Sequence, residues 1–257
     1  MSRTAVVTGA AGGLGQALVV RLTDLGWDVV PVDIVGTERV LDVRDAEACR
    51  ALAREVQPEL WVNNAGVLGA GDAATQSSDI VERVVNVNLL GVINGTRAAL
   101  EVMRDRNDGR GLGHIVNIGS LASWVPVPGE AVYGATKAGV LSYTLALVAE
   151  LKLQGIDGVR LSVVCPDGMS TPMLTNVADE PGIALSFTGL RLVKTEAVAQ
   201  RVGELLAHPK LIATIPRWRA AQVRTLGAVP EVSLKFAGLF NKLGQTNQKR
   251  WAKSLTR

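Results

Sequence analysis

The sequence is poor in the residues that define several common classes of protein. It has two cysteines and two histidines in 257 residues. Cys49 and Cys165 form neither a metal-ligand spacing nor a disulfide framework, so they read as buried core residues of a protein kept in a reducing compartment. His114 and His208 have no partner in the sequence that would make them ligands, and no metal site is expected. No uninterrupted apolar run reaches the roughly 18 residues that a spanning helix needs. The most apolar stretch, VLSYTLALVA, is shorter and contains Ser142, Tyr143 and Thr144. The amino-terminal apolar run continues into a glycine cluster without a cleavage pattern, so no signal peptide is expected and the chain reads as cytoplasmic. Internal repeats and low-complexity blocks are absent.

The chain is 47% apolar and 20% charged, enough to bury a large core. Short apolar runs (AVVTG, DVVPVD, LWVNNAG, HIVNIGS, RLSVVCP and LIATIP) alternate with longer stretches of helical period. Near-continuous apolar strands separated by helices indicate an α/β fold, a doubly wound parallel sheet of about seven strands covered by helices on both faces. Pro31 lies inside the second run, where it cannot donate to a ladder; it marks a bulge, or the strand begins at Val32. Charge is sorted along the chain. Residues 1–214 hold 18 Lys/Arg against 23 Asp/Glu, whereas residues 215–257 hold nine against one. The step predicts a Rossmann-like domain over residues 1–216 followed by a basic amphipathic extension over 217–257.

The first loop, TGAAGGLG, follows a strand and opens a helix. Gly9 and Gly13 permit a tight turn and close approach to a pyrophosphate resting on the helix N–H groups, and Gly15 permits tight packing of helix on sheet. Leu14 lies within this loop. Asp33 ends the second strand 18 residues after Gly15. A carboxylate there accepts hydrogen bonds from both ribose hydroxyls of an adenosine and repels a 2′-phosphate, and no basic residue occupies positions 34 or 35 or the glycine loop. NAD is therefore expected in preference to NADP; the competing reading of Asp33 is a turn or capping aspartate.

With only two tyrosines and eight lysines in the chain, SLASWVPVPGEAVYGATK places Tyr133 one helical turn before Lys137 and after Ser120. This set, together with Thr8, Gly9, Gly13 and Gly15, the NNAG at 63–66, Asp42 after the third strand and Asn88 in VNLLG, resembles the short-chain dehydrogenase/reductase family from about Thr4 to Pro216. The resemblance implies hydride transfer between NAD(H) and a secondary alcohol or ketone. Tyr133 is then the general acid/base, Ser120 hydrogen-bonds the substrate oxygen, Lys137 grips the nicotinamide ribose, and Asn88 holds a water that leads the proton to solvent. It also implies that Asn64, Ala65 and Gly66 line the adenosine-ribose side, that Asp42 and Val43 lie near the adenine, and that Pro166, Met169 and Thr171 contact the carboxamide. The chemistry is consistent: a free phenol, with a pKa of about 10, is a poor base near neutrality, and a neighbouring ammonium favours the phenolate.

Two departures from the family pattern stand out. Asp167 replaces a glycine after Pro166, and the short span from Asp33 to Asp42 leaves little or no room for a helix. Leu121, Trp124, Val125 and Val127, with the loop PMLTNVADEPGIALSFTG, are expected to contact an apolar alcohol or ketone; Trp124 otherwise reads as core or interface packing. The helix from about Ala131 to Leu153 is apolar around much of its circumference, and by resemblance a homodimer or homotetramer is expected. In the tail, Val232, Phe236, Leu239, Phe240 and Leu243 recur at helical spacing beside Lys235 and Lys242. That segment rests on an anionic membrane surface, caps an apolar substrate entrance, or packs on the core or a neighbouring subunit. Nucleic acid is not expected as a partner, since only Trp218 and Trp251 offer stacking there. Two other functions share these motifs: a dinucleotide-binding regulatory protein without catalysis, and an epimerase or dehydratase that uses NAD transiently.

Overall fold

A computed structural model describes residues 3–177, 180–189 and 191–255. Seven parallel strands form one sheet: β1 (Arg3–Thr8), β2 (Trp27–Asp33), β3 (Arg39–Val40), β4 (Leu60–Asn63), β5 (Gly113–Ile118), β6 (Val159–Pro166) and β7 (Ile212–Ile215), in the order β3-β2-β1-β4-β5-β6-β7. The expected doubly wound α/β architecture is present. Side chains alternate between two cores, as the period of two requires. Ala5, Val7, Leu60, Val62, Val116 and Val164 face α1 (Gly13–Asp24) and α7 (Thr195–Ala207). Val6, Trp61, Ile115 and Leu161 face α2 (Ala46–Val56), α4 (Gly91–Met103) and α5 (Ala131–Leu153). Each fully buried Val or Leu stabilises the fold by about 1.5–3 kcal/mol. Both cysteines are buried, Cys49 in the second of these cores and Cys165 in a smaller cluster, and burial pushes their thiols up to about 11.

Pro31 neither bulges β2 nor delays it. The Val32 carbonyl accepts from Ala10 on the β1 side, and the Asp33 carbonyl accepts from Leu41 on the β3 side. The backbone of Pro31 therefore points to the outer edge, and β3 pairs only with Val32 and Asp33. The proline sits where no ladder partner asks for an N–H. A turn through Gly36, at φ +76°, replaces a helix between β2 and β3.

A buried polar chain fixes α4 and α5 against the sheet. Trp61 Nε1 donates to Asn63 Oδ1, Asn63 Nδ2 donates to Thr96 and Asn117, and Asn117 Nδ2 donates to Thr144. At Gly95 a Cβ would lie 2.1 Å from Asn63 Oδ1, so only glycine lets α4 approach this closely. By length and composition α5 could cross a membrane. Here it lies against the sheet, burying Thr136, Lys137, Val140, Leu141, Thr144 and Leu151.

The carboxy-terminal segment folds back over the body as α8 (Arg219–Ala228), α9 (Pro230–Lys235) and α10 (Ala237–Leu255). Val223 of α8 enters a cluster with Leu121, Leu141, Val163 and Cys165. α10 crosses the 3₁₀ segment Pro181–Phe187 at Gly244, where a Cβ would stand 2.0 Å from the Ala184 carbonyl oxygen. Asn247 and Gln248 donate to the carbonyls of Phe187 and Glu180 at 3.0 Å. The helical spacing of the tail thus splits into an inner contact at Phe240 and an outer row at Val232, Phe236, Leu239 and Leu243 that stays exposed.

His114, at the start of β5, makes a 2.9 Å hydrogen bond between Nε2 and the Ser162 hydroxyl, which itself donates to the Lys210 carbonyl. Because the hydroxyl donates elsewhere, Nε2 of the imidazole carries the proton. Burial, with Arg160 nearby, pushes the imidazole down to about 4 from 6.5. The unfolded chain binds the proton more readily between those values, so stability is lost as pH falls through this window. In urea denaturation, lowering the pH from 7 to 5 should cost the protein about 2 kcal/mol relative to His114→Gln, which keeps the donor but does not titrate.

Candidate active site

Strand order reverses on either side of β1, and the crevice left at the carboxyl ends of β1 and β4 opens into a long cleft. Gly9, at φ +64°, has no room for a side chain, since a Cβ would lie 2.6 Å from Ala65 Cα. At Gly15 a Cβ would lie 2.1 Å from the Gly9 carbonyl oxygen. α1 begins after Gly12 with no side-chain cap and no acidic residue in its first turn, leaving its N–H groups for an anion. Gly13, Leu14, Val43, Ala65, Gly66, Met169 and Thr171 all line this cleft.

Asn64 lines it too, but its amide is directed at the loop, donating to the carbonyls of Thr8 and Gly9 at 2.9 and 3.0 Å. It braces the turn. Asp33 accepts from the Ala11 N–H at 3.0 Å and from the Ile34 N–H at 2.7 Å, joining the glycine loop to the end of β2. Asp42 is clasped by Arg44 Nε and Nη2 at 2.6–3.0 Å, and the guanidinium holds its carboxyl below the usual range. Arg44, absent from the expectations drawn from sequence, lines the same end of the cleft. An acidic adenosine end, an uncapped helix terminus and two glycines without lateral space fit a dinucleotide laid along the cleft.

At the other end Ser120, Tyr133 and Lys137 meet. Ser120 follows β5 and caps a 3₁₀ turn (Leu121–Ser123), its Oγ accepting from Ala122 N–H at 3.1 Å. Tyr133 lies in the first turn of α5. Lys137 Nζ donates to the Ile118 carbonyl at 2.8 Å and lies 5.6 Å from the Tyr133 ring centroid. Asn88 sits in a π-turn (Asn86–Leu90) between α3 (Ser78–Val85) and α4, and its amide pairs with both backbone groups of Val67 at 2.8 Å. A Cβ on Gly66 would be 3.4 Å from Asn88 Oδ1 and 3.9 Å from Lys137 Nζ, so the two side chains meet across that glycine.

Burial governs the charges here. Desolvation pushes the Tyr133 phenol up, the charge of Glu130 adds to this, and the Ser120 hydroxyl opposes it. The Lys137 ammonium is pushed down to about 8 by the same desolvation. In the protein alone, desolvation is the largest influence on both groups.

A second, mainly apolar pocket adjoins the cleft. Ser120, Glu130, Pro166, Asp167 and Ser186 border both. Leu121, Val125 and Val127 form one wall, and Leu226, Leu234 and Phe240 of the carboxy-terminal helices form another. Trp124 does not line it. Its ring lies under Arg224 at 5.3 Å, and a Cβ on Gly227 would sit 2.3 Å from its carbonyl oxygen, so the indole belongs to the packing beneath α8. From the expected substrate loop, Leu185, Ser186 and Thr188 reach the pocket, Leu174 lines the cleft, and Ala178 and Asp179 lie outside the described residues.

Asp167, the residue that departs from the glycine pattern, forms an ion pair at 3.1 Å with Arg219 Nε of α8, both side chains being nearly buried. Arg219 also donates to Gln222 Oε1 and Thr188 Oγ1 at 3.3 and 3.2 Å. The basic tail thus supplies the counter-ion for an acid in the site. Glu130, Arg44 and Arg219 escaped the sequence reading. Glu130 carried a signal in standing three residues before Tyr133, and Asp167 signalled that a compensating cation was needed somewhere.

Comparison with known proteins gives the family. A family model described as short chain dehydrogenase matches residues 38–182. The chain is 34% identical over 187 residues to the probable oxidoreductase EphD of Mycobacterium tuberculosis, covering 64% of this chain and 31% of that protein, so it spans about a third of that relative's length. It is 32% identical to the oxidoreductase UcpA of Escherichia coli, covering 68% and 73% of the two chains. It is 33% identical to the 15-hydroxyprostaglandin dehydrogenase [NAD(+)] of Rattus norvegicus, covering 69% and 72%. Among solved structures, a short chain dehydrogenase/reductase from Burkholderia phymatum in complex with NAD superposes with a TM-score of 0.78 at 24% identity, over 90% of this chain and 95% of that one. A variant of actinorhodin polyketide ketoreductase with NADPH superposes with a TM-score of 0.73 at 28% identity, over 83% and 95%. By sequence, fold and the grouping of its polar side chains, the chain belongs to the short-chain dehydrogenase/reductase family.

Proposed function

We propose that the protein is an oxidoreductase that moves hydride between a nicotinamide dinucleotide and an apolar secondary alcohol or ketone. The observation that carries this reading is the meeting of Ser120, Tyr133 and Lys137 where the long cleft joins the apolar pocket. When bound, the dinucleotide supplies the hydride acceptor or donor. Tyr133 gives its proton to the carbonyl oxygen in reduction and takes it from the hydroxyl in oxidation. Ser120 donates a hydrogen bond to the same oxygen and stabilises the charge that develops there. Lys137 holds a positive charge beside the phenol, and Asn88, across Gly66, leads toward solvent. A regulatory protein has no need of this acid/base set, and an epimerase or dehydratase would leave no net NADH in an alcohol screen.

NAD is the preferred dinucleotide in this reading. Asp33 meets the adenosine end with a negative charge, and Arg44, which lines that end, is already neutralised by both oxygens of Asp42. The exposed small and apolar side of α5, including Ala135, Ala138, Ser142, Leu145 and Ala149, supports pairing of two copies into a homodimer or homotetramer. The exposed row at Val232, Phe236, Leu239 and Leu243, set among Lys235, Lys242 and Lys249, supports peripheral contact with an anionic membrane.

Three outcomes are expected. In a panel of secondary alcohols and ketones, Tyr133→Phe should lower kcat by about 10²–10⁴ while fluorescence titration shows NADH binding retained; unchanged turnover would remove the phenol from the mechanism. The ratio of kcat/KM for NAD over NADP should exceed about 100 and shrink in Asp33→Ser, because the charge that repels a 2′-phosphate is gone. Sedimentation with phosphatidylserine vesicles should carry down the full chain and much less of Leu239→Glu, with little of either following phosphatidylcholine vesicles.

A further inference from the structure

Glu130 takes part in none of these steps, yet it stands in the middle of the site. It ends the loop before α5 and is only 3% exposed. Its Oε1 accepts a 2.5 Å hydrogen bond from the Ser186 hydroxyl, and its Oε2 has no hydrogen-bond partner among the described residues. The residue borders both the cleft and the apolar pocket, as Ser120 does.

Among the described residues no cation pairs with it. Arg219 shares the pocket, but Nε is turned to Asp167, Nη1 to Gln222 and Nη2 to Thr188. Lys137 Nζ is held by the Ile118 carbonyl. Burial without a counter-ion pushes the Glu130 carboxyl up to about 7, and the Ser186 hydroxyl only partly opposes this. An acid enclosed among apolar walls is costly to a fold, and the tie to Ser186 uses only one of its oxygens.

What the free oxygen suits follows from the surrounding charges. A cationic substrate would crowd Lys137 and the positive ring of an oxidised nicotinamide. An anionic one would meet Glu130 and Asp167. A hydroxyl matches a carboxyl in either protonation state, since it can both donate and accept. The aliphatic walls at Leu121, Val125, Val127, Leu226 and Phe240 favour a molecule with a hydrocarbon body over one hydroxylated throughout.

We propose that Glu130 binds a second hydroxyl of the substrate, which makes the natural substrate an apolar diol or hydroxyketone whose second oxygen lies a few bonds from the carbon that exchanges hydride. The position of that carbon rests on the hydride-transfer reading above. The hydroxyl contact itself needs no turnover.

The test compares octan-2-ol, octane-2,3-diol and octane-2,4-diol as ligands of the NADH-saturated protein, read by nucleotide fluorescence, in the unaltered protein, Glu130→Gln and Glu130→Leu. One diol should bind about tenfold or more tightly than the mono-alcohol. Glu130→Leu should reduce that preference to about twofold or less, and Glu130→Gln, which keeps a donor and an acceptor, should retain most of it. Both variants remove a buried acid and are expected to fold, with a melting temperature at or above the original. The proposal fails if the unaltered protein binds all three alike or binds none, or if Glu130→Leu weakens all three equally. Assay of the same compounds with NAD separates the two readings. A diol preference in binding without NADH production sinks hydride transfer and leaves the subsite standing, whereas turnover of all three without preference does the reverse.

Discussion

Parallel strands finish on one edge of their sheet, and here nearly every group with chemistry to perform stands within a few residues of such an ending. Gly9 follows β1, Asp33 closes β2, Asn64 follows β4, Ser120 follows β5, and Pro166 and Asp167 lie at the end of β6. The order reverses on either side of β1, so these endings surround a crevice that no crossover covers. Asn88, Tyr133 and Lys137 are exceptions, the last two reaching the crevice from the side. α5 can bring them there only because the Asn63, Asn117 and Thr144 chain and the bare Gly95 fix the depth of its packing and that of α4.

Loss of water is the common electrostatic theme of the site. It favours the uncharged form of Tyr133, Lys137 and Glu130, and it pushes Asp167 the same way. Asp167 alone is given a partner, Arg219, held from three sides. A site poised in this manner responds strongly to whatever charge a ligand brings, since little solvent is present to screen it.

Much of this was legible in the sequence because it depends on local pattern. The apolar runs marked the strands, the glycine spacing marked the first turn, and one helical turn between Tyr133 and Lys137 marked a shared face. The span of α5 and the lack of a helix between β2 and β3 followed in the same way. The fit of Pro31 depends on which edge its backbone faces, a property of register that composition does not carry. The neighbours of Trp124 in the chain point to substrate, and its packing reading holds because its environment is made by Gly227 and Arg224, a hundred residues away. Arg219 was invisible for the same reason: an ion pair between distant segments leaves no periodic trace, and only the acid that needed it stood out.

Gly244 and Gly227 show how closely the last helices are seated, each where a single methyl group would strike a carbonyl oxygen. The residues that bear on the choice of substrate thus come partly from the end of the chain, whereas those that bear on hydride and proton movement come from its first two thirds. In the proposed reading, exchanging the final forty or so positions would change which molecules fit beside Ser120 and would leave Asp167 without its counter-ion, while Tyr133 and Lys137 kept their own supports.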